Sequence, residues 1–310
     1  MSWTSEGTRI TGADAGLTST QVFADVTVIR LNDGRWRMYV FANSAYRSAI
    51  SSDGLSFTME SGFRMREGAG QSRAIRLDDG RIRMFFSTGN GLGSMVSTDD
   101  GLTFTEESGT RLSLSAAGMS AITGPGIIKT RSGLYRMYFS DLPIPGEGVK
   151  PHLVKSATSA DLLTWTMDSG VRVGTGATLT GNAEHPTAIL NADGSVTMFY
   201  FRNTDFGLYQ STSTDGLTFS TEFSTGLSTF NDPDIVTLPN GSVRLYLGNI
   251  NGSGGYIASA TRATANVFGF APSIAPTRSF EGPGTSGTTS PGLRPAPGGR
   301  GTAGVVRREQ

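Results

Sequence analysis

Asp25, Glu184 and Asp232 each stand at the opening of an apolar run, and Arg73, His185 and Asp234 stand beside such openings. Asp141, and Arg202 with Asp205, come just after other apolar runs. Three or more carboxylates facing one centre are costly to bury unpaired. Such a set suits a bound cation, a sugar, or proton transfer between an acid and a base. Asp25, Glu184 and Asp232 are therefore the candidate catalytic groups. Arg73, His185, Asp141, Asp205 and Arg202 are the candidate substrate-binding groups. Plainer roles compete at several of these positions. Asp232, in Asp232-Pro233-Asp234, can cap a turn through its side chain. His185 can be a hydrogen-bond partner of a carboxylate, and Arg73 can pair with one.

The elements that would position these groups form an internal repeat. Five segments share one plan: an apolar strand, a turn ending in Gly, and a second strand rich in Met and aromatics. They begin at Ala24, Gln71, Gly124, Glu184 and Asp232, and their turn glycines are Gly34, Gly80, Gly133, Gly194 and Gly241. The glycine separations of 46, 53, 61 and 47 residues match one four-stranded propeller blade of roughly 40–50 residues plus insertions. A second motif ends at Phe57, Phe104, Trp165 and Phe219 in SSDGLSF, TDDGLTF, TSADLLTW and STDGLTF. Its Asp-Gly pair signals a tight hairpin, so Asp53, Asp100, Asp161 and Asp215 read as structural. Met38, Met84, Met137 and Met198 recur at one repeat position and read as packing between blades.

The fifth segment has no outer strand of its own. SWTSEGTRI at the N-terminus resembles the outer strands of the other segments, with Trp3 in the aromatic position. The reading is an all-β, five-bladed β-propeller over residues 1–268, closed by its N-terminal strand, which removes exposed edges. From about Ala271 the chain is rich in Pro, Gly, Ser and Thr, with almost no apolar periodicity. Residues 269–310 are expected to be a disordered tail. The longer, polar loops, Asp141–His152 and Arg202–Gly207 among them, are expected on one face with the inner-strand starts, where function should sit.

The 26 basic and 26 acidic residues cancel, which argues against nucleic acid and anionic membranes as partners. The absence of Cys excludes disulfides and thiolate metal sites. The N-terminus has no basic region followed by an apolar one, so it does not read as a signal peptide. The compartment expected by default is cytoplasmic, or extracellular if the start is misassigned. No segment approaches the roughly 20 apolar residues that cross a bilayer.

The turn Ser97-Thr98-Asp99-Asp100-Gly101-Leu102-Thr103-Phe104 resembles the Asp-box (BNR) repeat of sialidases, a mark of fold rather than chemistry. The sialidase arginine triad has no match here. Five blades with acids at the inner-strand starts resemble the arabinanase, β-xylosidase and invertase superfamily of glycoside hydrolases, over about residues 3 to 265. In its arabinanase/xylosidase branch an Asp starting the first blade is the general base, which Ala24-Asp25-Val26-Thr27 resembles, with Val26 in place of the usual Pro. A Glu-x-Pro motif starting the fourth blade carries the general acid, and Glu184-His185-Pro186-Thr187 matches it. A third acid normally opens the third blade, but Thr123-Gly124-Pro125 has none; Asp141, Asp205 or Asp232 could substitute.

The resemblance thus implies an inverting glycosidase with Glu184 as acid and Asp25 as base, acting on carbohydrate at the central channel as a monomer. No cofactor is required on this reading. Calcium held by Asp25, Glu184 and Asp232 through oxygen ligands is a further possibility. The alternative function is a non-catalytic propeller that binds glycan or protein through the same face.

Overall fold

The computed structural model describes residues 2–65, 70–141, 152–174, 182–202, 204–219, 221–249 and 254–263. The chain divides into two units, Met1–Phe270 and Ala271–Gln310. The second unit, and with it the expected tail, lies outside the described residues.

The first unit is built of five antiparallel sheets. Their inner strands are Phe23–Arg30, Gly70–Arg76, Thr123–Lys129, Ala183–Leu190 and Phe230–Thr237. Each packs against the next, and the fifth returns to the first, so the sheets are the blades of a closed five-bladed propeller. The fifth blade takes its outer strand, Thr4–Thr11, from the N-terminus, paired with Tyr256–Arg262.

One aromatic contact recurs around the ring. The outer-strand aromatic of each blade meets, edge to face, a second-strand aromatic of the blade before it. The pairs are Phe104 on Tyr39, Trp165 on Phe85, Phe219 on Tyr138, Trp3 on Phe199 and Phe57 on Tyr246, at 5.6–5.9 Å between ring centres. Such pairs add about 0.5–1.5 kcal/mol each beyond the area they bury. Met38, Met84, Met137 and Met198 are fully buried in the seams between blades.

A partly buried ion pair repeats as well. Arg37 binds Glu60, Arg83 binds Glu107, Arg136 binds Asp168, and Arg244 binds Glu6. Glu6 is thus the N-terminal strand's copy of a carboxylate that the other blades carry in place. In the tight turns, Asp53 Oδ1 accepts from the backbone N–H groups of Leu55 and Ser56 at 2.8 and 2.9 Å. Those donors pull its carboxyl down to about 2. The second blade departs from the sequence expectation: Asp99, not Asp100, holds the turn, accepting from the N–H of Thr103 at 2.9 Å. That turn has one extra residue, so Asp100 takes a left-handed backbone and receives Asn32 Nδ2 at 3.0 Å.

Among the described residues no helix is long and apolar enough to cross a membrane. A recess of about 300 Å³ lies at the outer strands of the first two blades, lined by Phe63, Met65, Met95, Leu102 and Phe104 among others. None of the candidate residues at the hub lines it.

Candidate active site at the hub

Every inner strand is broken by a bulge at the same place. The pairing skips one extra residue between Ala24 and Thr27, Gly70 and Arg73, Thr123 and Gly126, Glu184 and Thr187, and Asn231 and Asp234. The residue one past the start of each bulge takes a left-handed backbone: Asp25 (φ 52°), Gln71 (51°), Gly124 (56°), His185 (51°) and Asp232 (47°). A bulge re-aims a side chain and ends regular pairing, as bulges beside active sites do. Four of the five, all but Gly124, are non-glycine residues strained by this conformation, and the bulges are the fold's means of turning their side chains toward each other.

The bulges bring Asp25, His185 and Asp232 together, with ligand-type atoms all within 4.8 Å of one another. Asp232 is the bridge. Its Oδ1 contacts His185 Nδ1, and its Oδ2 accepts the backbone N–H of Asp25 at 3.4 Å. Asp25 is half-buried, and its burial pushes its carboxyl up to about 6, opposed by the backbone N–H of Gln71, which it accepts. Burial, then the charges of Arg73 and His152, push the His185 imidazole down to about 3. His185 is therefore neutral near pH 7 and can give its Nδ1–H to Asp232. For a metal, the set offers two carboxylates and an imidazole. That donor mix suits a transition metal better than calcium, which takes oxygen ligands.

Glu184 lies one residue ahead of this ring. The repeat position of Asp25 in the fourth blade is His185, and Glu184 corresponds to Ala24, Thr123 and Asn231. Its Oε1 contacts His152 Nδ1, and both residues are buried. His152 is fixed in turn: its N–H donates to Asn182 Oδ1 at 3.3 Å, and its carbonyl accepts from Asn182 and Ala183 at 3.0 and 3.2 Å.

The remaining candidates are held by other partners. Arg73 pairs with Asp234 and donates to the carbonyls of Pro125 and Pro233 at 3.0 and 3.1 Å, tying three blades together. Asp234 also accepts the N–H of Val28 at 2.6 Å across the closing seam. Asp141 Oδ1 accepts the N–H of Leu153 at 2.9 Å; residues 142–151 of that loop lie outside the described residues. Asp205 contacts the Tyr209 hydroxyl and accepts the N–H of Gly207 at 3.2 Å. Arg202 pairs with Glu222 and lies 5.0 Å over the Tyr209 ring.

The third blade contributes no side chain at its bulge. A β-carbon on Gly124 would stand 2.5 Å from His185 Cα, closer than any real contact. Two residues with a place in this site carried no role in the sequence reading: His152, the partner of Glu184, and Asp234, the partner of Arg73. His152 was marked only by being one of two histidines.

No family model matches the chain, and no curated protein matches it. Solved structures share its fold. A thermostable family-43 glycoside hydrolase superposes with a TM-score of 0.59 at 14% identity, over 77% of this chain and 88% of that one. An endo-arabinase from Bacteroides thetaiotaomicron VPI-5482 gives 0.61 at 15%, over 79% and 96%. Fructan 1-exohydrolase IIa from Cichorium intybus gives 0.62 at 11%, over 78% and 56%. The fold is the five-bladed propeller of family-43 glycoside hydrolases and related propeller hydrolases, as the resemblance in the sequence implied.

Proposed function

We propose that this propeller is a glycoside hydrolase that cleaves a carbohydrate at its hub by inversion. Asp25 is the general base, Glu184 the general acid, and Asp232 takes the part of the acid that the third blade lacks. The observation that carries this reading is Asp25: a half-buried carboxylate at the hub whose burial raises it to about 6. It is ionised near neutrality yet basic enough to take a proton.

In the proposed step Glu184 gives its proton to the glycosidic oxygen as the bond to the anomeric carbon breaks. Asp25 takes a proton from the water that attacks that carbon from the opposite side. The products are an alcohol and an inverted hemiacetal, and proton exchange with solvent resets both carboxyls. Inversion needs the two carboxyl groups about 6.5–9.5 Å apart to admit the water. Asp25 and Glu184 stand on separate inner strands, Phe23–Arg30 and Ala183–Leu190, an arrangement that leaves room for such a gap. His152 against Glu184 Oε1 would share the acid's proton between turnovers.

The test is a panel of chromogenic arabinosides, xylosides, galactosides, fructosides and sialosides, with Glu184→Gln and Asp25→Asn as controls. Each variant should lose about 10²–10⁴-fold in turnover while remaining folded, with a cooperative melting transition. NMR should show the inverted anomer forming first. Full activity in either variant removes that residue from its role.

One observation favours a second reading, a carbohydrate-binding propeller without turnover. The third-blade acid is absent, and Gly124 packs so closely on His185 that no side chain fits there. A glycan array with clear binding and no cleavage product would select it.

A further inference from the structure

The turn between the strands Val196–Arg202 and Gly207–Ser213 carries an exposed phenylalanine. Phe206 is 54% exposed and holds a left-handed backbone, φ 55°. A bulky residue is an outlier there, and glycine would adopt that conformation without strain. The turn is nonetheless pinned. Thr229 donates its N–H to the Phe206 carbonyl at 3.1 Å, and Asp205 caps the N–H of Gly207 and contacts the Tyr209 hydroxyl. A strained residue held this firmly, with its ring in solvent, points to a use for the ring.

The ring's position indicates that use. Phe206 lies 6.4 Å from Phe201, the two rings tilted by 36°. Phe201 is the cross-strand partner of Glu184, and directly opposed residues stand about 4.5–5.5 Å apart at their β-carbons. A line therefore runs from Glu184 through buried Phe201 to exposed Phe206, outward from the hub. Next to Phe206 in the chain, the Asp205 carboxylate contacts the Tyr209 hydroxyl, and the Arg202 guanidinium lies 5.0 Å over the Tyr209 ring. An aromatic face with hydrogen-bonding groups at its edge is the chemistry that recognises a sugar ring, whose C–H face stacks on the π-cloud while its hydroxyls meet the polar groups.

We propose that Phe206 is the stacking platform of a second sugar subsite, which holds a unit of an oligosaccharide beyond the one at Glu184. This rests on the hydrolase reading above. It assigns the protein to chains of several sugar units rather than to single glycosides.

The test compares wild type with Phe206→Ala and Phe206→Gly. Calorimetry measures affinity for arabino-, xylo-, galacto- and fructo-oligosaccharides of two and five units. Turnover is followed in parallel on the matching 4-nitrophenyl monoglycosides. Both variants should bind the five-unit oligosaccharide about tenfold more weakly, the loss of one stacking contact, and should turn over the monoglycoside within about twofold of wild type. Phe206→Gly should melt no lower than Phe206→Ala, because both lose the ring and only glycine takes φ 55° without strain. Oligosaccharide affinity unchanged in both variants, with wild type active, overturns the platform and leaves the hydrolase reading standing. No binding and no turnover by wild type across the panel overturns both.

Discussion

His185 of the fourth blade sets its Nδ1 against Oδ1 of Asp232 in the fifth. The same carboxylate takes the backbone N–H of Asp25 on its other oxygen. One side chain therefore fixes both the imidazole and the strand that presents the proposed base. Asp232→Asn keeps the shape, and Asn tolerates the left-handed backbone, but the amide cannot hold His185 in one tautomer as the carboxylate does. Turnover should fall about 10²-fold or more with an unchanged melting curve. Activity within twofold of wild type would remove Asp232 from the chemistry.

The Asp25 and His185 shifts pull stability in opposite directions with pH. The Asp25 carboxyl is raised from 3.8 to about 6, so the native state binds its proton more tightly than the unfolded chain does. That contribution is full below 3.8 and is lost as pH rises through about 6. His185 is lowered from 6.5 to about 3. Its contribution is full above 6.5 and is lost as pH falls through about 3. In wild type the two offset each other between about pH 4 and 6. Asp25→Asn should be more stable than wild type at pH 7 and should lose stability more steeply on acidification. His185→Asn should gain stability as pH falls toward 4. Scanning calorimetry at half-unit steps reads both, and parallel curves for the three proteins would refute the assignment.

The pH dependence of turnover follows from the same carboxyl. The proposed base works only when ionised, so kcat/KM should rise with pH and level off above about 6. A profile already flat from pH 4 upward would mean that Asp25 is not the titrating base.

The repeat was legible because each blade had to solve the same packing problem with the same residues. Gly34, Gly80 and their counterparts mark the hairpins, and the aromatics Phe57, Phe104, Trp165, Phe219 and Trp3 all reach the blade before them. Trp3, in the aromatic position of an outer strand that the fifth segment lacks, therefore disclosed the closure of the ring. The phase of the hub was not legible. A bulge adds one residue that spacing alone does not reveal, and a one-residue offset turns a side chain to the other side of a strand. Glu184 and His185 were visible as a pair, but which of them answers to Asp25 depended on that bulge. Asp99 and Asp100 posed the same problem in the second blade's turn. Phe206 was hidden because Asp205 and Gly207 around it read as an ordinary polar turn.

The glycines at the blade seams carry a separate prediction. Gly101 holds φ 85° and a β-carbon there would lie 1.8 Å from the Tyr39 hydroxyl, which donates to the Gly101 carbonyl at 3.1 Å. Gly101→Ala must displace that tyrosine from the blade before it. Overpacking costs about 1–3 kcal/mol and the backbone strain adds to it, so the melting temperature should drop by several degrees. Gly133 has the same left-handed backbone, φ 86°, with open space around it. Gly133→Ala should suffer only the strain and fall less. Equal losses in the two variants would mean that the seam contact contributes nothing.

The closure of the ring is testable at Glu6. Its carboxylate receives Nε and Nη2 of Arg244 at 2.8 and 2.9 Å and the Ser259 hydroxyl at 2.7 Å. Arg244 is buried and also donates to the carbonyl of Gly54 in the first blade at 3.2 Å. This cluster therefore joins the N-terminal strand, the last blade and the first. Glu6→Ala leaves a buried guanidinium short of its main acceptor, a loss of about 1–3 kcal/mol or more for a charged group. Arg244→Met in the same background should recover part of that loss, since no unpaired charge remains. Removing residues 2–11 goes further: it uncovers the edge of the strand Tyr256–Arg262, an invitation to intermolecular pairing. Calorimetry on the point variants and size-exclusion chromatography on the truncation read the two effects. A truncated chain that elutes as a monomer with the wild-type melting temperature would show that the N-terminal strand does not hold the ring closed.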